Sequence, residues 1–296
     1  MRLAFLGTPE PAVASLRALV EAGHEIVLVI TRPDKRRGRG SELSPSPVKA
    51  AALELGLHVE HKLAALGDVS VDLAVVVAYG RIIPVDLLER CPMVNVHFSL
   101  LPRWRGAAPV ERAVLAGDEE TGVCIMALDE ELDTGAIYAQ AATPIGDKTT
   151  GDLLEELAGL GSRLLVEVLA GGLPLPTPTP QVGEVTYAEK MEKADFFLNP
   201  QEDVSCFARL VRTQRAVATF NSKRCKVHAT GERRSRHGDP GSIHVTDGRL
   251  WWSALDGDIE VTQLQLEGAK SLSAAAVITG LRGSESLRWD RPSVES

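Results

Sequence analysis

Asn95, His97 and Asp133 are the residues whose types and spacing could do chemistry. Asn95 and His97 lie two apart, at the end of the apolar run Pro92-Met93-Val94. On an extended chain, side chains two apart point the same way, so an amide and an imidazole face a common point. Asp133 ends the next apolar run, in Leu132-Asp133-Thr134-Gly135, where a turn can bring it back towards them. Together they offer a hydrogen-bond donor, a group that titrates near neutrality and a carboxylate to orient it. That set suits acyl-group transfer through a tetrahedral intermediate. A histidine at a strand end and an Asp-x-Gly turn also have plain structural uses, and spacing alone does not choose between them.

The elements that must position these residues read as α/β. Leu3 to Leu6 forms a buried strand, and a helix starts at Pro9 or Glu10 behind Thr8, with Ala12, Leu16, Leu19 and Val20 as its apolar stripe. Glu25 to Ile30 is the next strand, which completes a βαβ unit. Leu73 to Val77 is wholly apolar, as at the centre of a parallel sheet. Helices follow at Pro84 to Arg90 and Ala107 to Leu115, strands at Thr121 to Ala127 and, towards the sheet edge, Ile137 to Ala142. Residues 149–170 make an amphipathic helix that Gly171-Gly172 ends. The expected fold is a Rossmann-like domain with a mostly parallel sheet. Its first turn, Gly7-Thr8-Pro9-Glu10-Pro11-Ala12, lacks the second and third glycines that admit a pyrophosphate, so no dinucleotide is expected.

Alternating prolines at 174, 176, 178 and 180 make stiff, extended chain. Beyond a short helix at Gln201 to Arg212, short strands alternate with turns such as Thr246-Asp247-Gly248. A small β-barrel is expected there. The domain boundaries are therefore 1–178, a linker at 179–195, and 196–296.

The totals narrow the function. No apolar run reaches the length of a membrane span, and Met1 to Gly7 reads as a strand and turn, not a signal peptide. The four cysteines are scattered, which suits reduced thiols in a cytoplasmic protein and no metal site. A net charge of −8 argues against indiscriminate nucleic-acid binding. Two local stretches are nonetheless basic. One holds Arg32, Lys35, Arg36, Arg37 and Arg39 against Asp34 alone, and the other holds Lys223, Arg224, Lys226, Arg233, Arg234 and Arg236 against Glu232 alone.

The ordered motifs Asn95-x-His97-x-Ser99-Leu100-Leu101-Pro102, Arg105-Gly106-x-x-Pro109 and Leu132-Asp133-Thr134-Gly135 resemble the signature of the folate-dependent formyltransferases. The loop Thr31-x-Pro33-Asp34 to Gly38-Arg39-Gly40, followed by Pro45-Ser46-Pro47-Val48-Lys49, is similar to the branch that formylates initiator methionyl-tRNA. The resemblance implies 10-formyltetrahydrofolate as formyl donor, no metal, and an OB-like second domain. It places Ser99, Leu100, Leu101 and Pro102, with Tyr79 and Ile82 of the 77–83 loop, around the folate. It sets Arg36, Arg37 and Arg39 against the acceptor stem, and Lys223, Arg224 and Lys226 are the barrel's candidates for the tRNA backbone. Asn95 and His97 are then donors to the formyl oxygen, and Asp133 favours charged His97 and takes the amine's proton. A cytoplasmic monomer that acts in translation initiation, with no membrane partner, is the expectation. Val211 to Phe220 departs from the family's pattern, which leaves the shape of the tRNA-facing surface open.

Overall fold

The structure is a computed structural model, and it describes residues 1–36, 43–281 and 287–293. The chain divides into two compact units. The first is Met1–Val110, Glu119–Pro144 and Asp152–Lys190, and the second is Glu111–Asp118, Ile145–Gly151 and Met191–Ser296.

In chain order the elements are β1 (Arg2–Gly7), α1 (Pro11–Glu21), β2 (Glu25–Ile30), β3 (Lys35–Arg36), β4 (Leu43–Ser44), α2 (Pro47–Glu54), β5 (Val59–Glu60), β6 (Leu73–Val77), α3 (Val85–Arg90), β7 (Met93–His97), β8 (Arg105–Gly106), α4 (Pro109–Ala116), β9 (Glu120–Ala127), β10 (Ile137–Pro144), α5 (Thr150–Leu169) and β11 (Tyr187–Ala188). A seven-stranded sheet runs β10-β9-β7-β6-β1-β2-β5. It is parallel from β5 to β7, while β9 and β10 are antiparallel. All five residues of β6 are buried, as their unbroken apolar run requires. Each of its Leu and Val side chains contributes roughly 1.5–3 kcal/mol when removed from water. Pro11 opens α1 and the Ser46 hydroxyl caps α2 by accepting from Lys49 N, so both helices start on local chemistry. The order reverses at β1, which puts a crevice at the carboxyl ends of the parallel strands. β7 ends on that edge with Asn95 and His97 in its last three positions.

The second unit continues with α6 (Val204–Arg212), β12 (Val217–Phe220), β13 (Lys223–Arg234), β14 (Ser242–Thr246), β15 (Arg249–Ser253), β16 (Asp258–Leu266), β17 (Leu272–Ser273), α7 (Ala274–Gly280) and β18 (Leu287–Asp290). Its strands run β13-β12-β18-β14-β15-β16-β17, and β13 also pairs with β16. That extra ladder closes an antiparallel barrel. Asp203 caps α6, whose Phe207 meets Trp252 and Trp289 edge-on at 6.1 and 5.3 Å. Asp258 is wholly buried and accepts from Ser253 Oγ at 2.8 Å and His244 Nε2 at 2.9 Å. Burial pushes its carboxyl up, but those bonds more than offset this and hold it below the usual range.

One difference from the sequence reading has a physical cause. β12 and β18 were not legible, because each is only four residues long. The stiff proline-rich stretch and its continuation are also paired to the rest of the chain. Thr179 bonds Ile137 in both directions at 2.8 Å, and β11 pairs with β8. All four cysteines are free. Burial pushes the Cys124 thiol up to about 11 and the Cys225 thiol up to about 12.

Candidate active site

β7 presents Asn95 and His97 on one face of the sheet edge, as their spacing requires. The His97 ring is 6% exposed, and its Nε2 lies 2.9 Å from the Trp104 carbonyl oxygen. A carbonyl only accepts, so Nε2 carries the proton and donates. Nδ1 is then the nitrogen left to face a substrate, and it can donate only when the ring is doubly protonated. This refines the sequence reading, which treated the imidazole as a donor without choosing a nitrogen.

Asp133 does come back towards His97. Its Oδ2 accepts from Gly106 N at 2.8 Å and stands 3.6 Å from His97 Nδ1. The second distance is a charge contact and too long for a hydrogen bond. Oδ1 has no partner among the described residues, and neither does the Asn95 amide. An amide donor, an imidazole nitrogen and one carboxylate oxygen are therefore open together.

The backbone around them is closely held. Asp133 has φ 52° and Trp104 has φ 65°, shapes that a non-glycine residue keeps only when its surroundings fix it. Trp104 N donates to Thr186 Oγ1 at 2.9 Å, and Arg105 N donates to Thr186 O at 2.9 Å. Gly106 has φ 123°, and a Cβ there would stand 2.7 Å from Ala188 O, so only glycine allows β8 to approach β11. A Cβ on Gly135 would sit 1.9 Å from Ala127 O, which explains the glycine two residues after Asp133. Gln181 joins the Asp133 turn to Arg105. Sequence reasoning had Thr186 and Gln181 only as linker. Both lie in a stretch with no periodicity, and their partners are 46–82 residues away.

The remaining candidates are placed as follows. Ser99 is wholly buried and its hydroxyl donates to Arg103 O at 2.6 Å, so it serves the turn. Leu101 packs with Cys124, Met126 and Ile137, Pro102 is buried, and Leu100 is half-buried. Tyr79 is buried against the core and lies on the wall of a cavity of about 280 Å³ with Thr8, Arg32, Lys35 and Ser46. That cavity opens beside β1, β2 and β6, and none of Asn95, His97 and Asp133 lines it. The bonding geometry, not this cavity, marks the candidate reactive centre. Ile82 is 90% exposed and off the cavity wall. Arg36 is exposed on β3, while Arg37 and Arg39 lie outside the described residues. Arg224 and Lys226 share the outward parity of β13, opposite to buried Cys225 and Val227. Lys223 has the inward parity but is exposed at the strand's first position, and Arg224 lies 5.6 Å over the Phe197 ring. Among the described residues no three ligand-type side chains converge on a metal position, and no helix is long and apolar enough to cross a membrane.

Asn95→Ala should lower kcat by roughly 100-fold with folding intact, since an oxyanion donor is worth about that much. Steady-state rates and a melting curve check it, and an unchanged kcat removes Asn95 from the chemistry.

Known proteins bear on this geometry. Residues 1–169 match the formyl transferase family model, and residues 190–282 match that of the formyl transferase C-terminal domain. A methionyl-tRNA formyltransferase of Rhizorhabdus wittichii is 43% identical, over 95% of this chain and 95% of its own. One from Dechloromonas aromatica is 40% identical, over 99% of this chain and 100% of its own. Among solved structures, a Helicobacter canadensis N-formyltransferase with folinic acid and dTDP-3-aminofucose superposes with a TM-score of 0.66 at 18% identity, over 88% of this chain and 98% of that one. HypX from Aquifex aeolicus with tetrahydrofolic acid gives 0.65 at 18% identity, over 96% of this chain and 48% of that one. At such identities these two show the fold alone. The full-length relatives and the matched models go further, and on them the chain belongs to the methionyl-tRNA formyltransferase family.

Proposed function

We propose that this protein transfers the formyl group of 10-formyltetrahydrofolate to the amino group of methionine on initiator methionyl-tRNA, giving N-formylmethionyl-tRNA. One observation carries the chemistry. A histidine pinned through Nε2 turns Nδ1 towards a carboxylate, beside an unengaged amide. Asn95 and the Nδ1–H of charged His97 donate to the formyl oxygen as it gains negative charge. Asp133 Oδ2 faces His97 Nδ1 at 3.6 Å, and Oδ1 takes the proton that the attacking amine loses. The new bond joins the formyl carbon to the methionine nitrogen, the bond to the folate nitrogen breaks, and that nitrogen leaves with a proton. The chemistry is amide exchange at an activated donor, so the residues present suffice for the proton and charge movements. Ser99 to Pro102, Tyr79 and Ile82 are assigned to the folate side, Ser99 through the turn that its hydroxyl holds.

In the same reading residues 1–178 carry the catalytic domain and residues 179–195 connect it to 196–296, an OB-like domain that holds tRNA. The protein acts in the cytoplasm as a monomer without a membrane partner. Arg36, Arg37 and Arg39 meet the acceptor end, and Lys223, Arg224 and Lys226 meet phosphates. Lys223→Ala with Lys226→Ala should weaken tRNA binding and flatten its log–log salt slope by about 1–2, with folate affinity unchanged. An unaltered slope removes both lysines from the interface.

The reading is tested by incubating the full chain with 10-formyltetrahydrofolate and methionyl initiator tRNA, and reading formyl-methionine after deacylation. Formylation of that tRNA, and not of an amino-sugar nucleotide, is expected. Transfer to the sugar nucleotide alone would overturn it.

A further inference from the structure

We propose that Gln181 is a positioning residue for Asp133. The proposal deepens the function just given and rests on Asp133 being catalytic in it. Gln181 lies 48 residues beyond Asp133. Its amide nitrogen donates to Asp133 O at 2.8 Å and to Gly135 O at 2.9 Å. Its oxygen accepts from Arg105 Nε at 3.1 Å and from an Arg105 terminal nitrogen at 2.7 Å. A side-chain amide has two donor hydrogens and two lone pairs on its oxygen, so its whole capacity is engaged.

The two ends of that amide hold the two halves of one contact. The donor end grips the main chain on both sides of Thr134, in the turn where Asp133 has φ 52°. The acceptor end grips Arg105, the residue before Gly106, whose N–H donates to Asp133 Oδ2. Gln181 thus ties the turn that carries the carboxylate to the strand that receives it. Released from this tie, the turn relaxes towards an ordinary backbone shape and the carboxylate leaves His97.

Glutamate at this position separates the donor role from packing. It has nearly the same shape and still pairs with Arg105, but it turns an acceptor towards two carbonyl oxygens. In the full chain, Gln181→Glu should lower kcat roughly 30-fold, with KM for each substrate within about threefold and the melting temperature nearly unchanged. In an Asp133→Asn background the same change should alter kcat less than about twofold, because residues acting as one unit are not additive. A substrate-free readout stands beside these. Exchange of the Gly106 amide hydrogen should quicken at least about tenfold in Gln181→Glu, while that of Val96 does not change. Gln181→Met, which removes all four bonds, should match it. Unchanged Gly106 exchange, or a full 30-fold loss on top of Asp133→Asn, would overturn the proposal. If the wild-type chain formylates nothing, the function fails, and the exchange measurement still decides whether Gln181 positions Asp133.

Discussion

Asp133→Asn should reduce kcat by roughly a thousandfold, about 4 kcal/mol of barrier, with KM and melting temperature close to wild type. Asparagine has the same shape, and its oxygen can still accept from Gly106 N, so the turn keeps its anchor. Two things are lost together. The charge 3.6 Å from His97 Nδ1 goes, and with it the electrostatic partner of that nitrogen. The free oxygen that would take the amine's proton is also replaced. Either loss alone is worth roughly 100-fold or more. Single-turnover rates with saturating folate and charged tRNA separate chemistry from binding. A variant keeping more than a tenth of the native rate would show that solvent removes the proton and that His97 needs no carboxylate.

Trp252→Ala should cost about 3–5 kcal/mol of stability, the range for truncating a buried large aromatic. Trp252 is wholly buried in the second unit, with Trp289 stacked at 5.3 Å, Phe220 at 6.0 Å and Phe207 edge-on at 6.1 Å. Its indole nitrogen makes no hydrogen bond among the described residues, so truncation orphans no acceptor and the loss is one of packing. Trp289 differs, because its Nε1 donates to Ser253 O at 3.1 Å. In a calorimetric scan the variant's transition should fall by roughly 10 °C. A fall under about 2 °C would mean that neighbouring side chains collapse into the space.

What could be read from the sequence followed local rules. Alternation along β7 placed Asn95 and His97 on one side, and the Asp-x-Gly turn brought Asp133 back to His97. The unbroken apolar run of β6 and the proline-opened starts of α1 and α2 gave the α/β unit, although Thr8 does not cap α1. What escaped was long-range or too short to show a period. The choice of nitrogen on His97 depends on the direction of the Trp104 carbonyl, which Thr186 sets from 82 residues away. Gln181 sits among prolines and valines with nothing in its neighbourhood to mark its partners. Barrel closure depends on β13 meeting β16, a pairing between segments whose turns suggest only their immediate neighbours. The basic tip with Arg37 and Arg39 lies outside the described residues.

The anchor of His97 also bears on how this site can drift over evolutionary time. Its partner is the main-chain oxygen of Trp104, an acceptor that no substitution can delete. Substitutions at position 104 all keep that acceptor, provided each tolerates φ 65°. Asparagine and glycine are the least strained of these. The His97 ring thereby keeps its anchor when the side chain at 104 changes, although the indole there lies 4.6 Å from the Arg103 guanidinium.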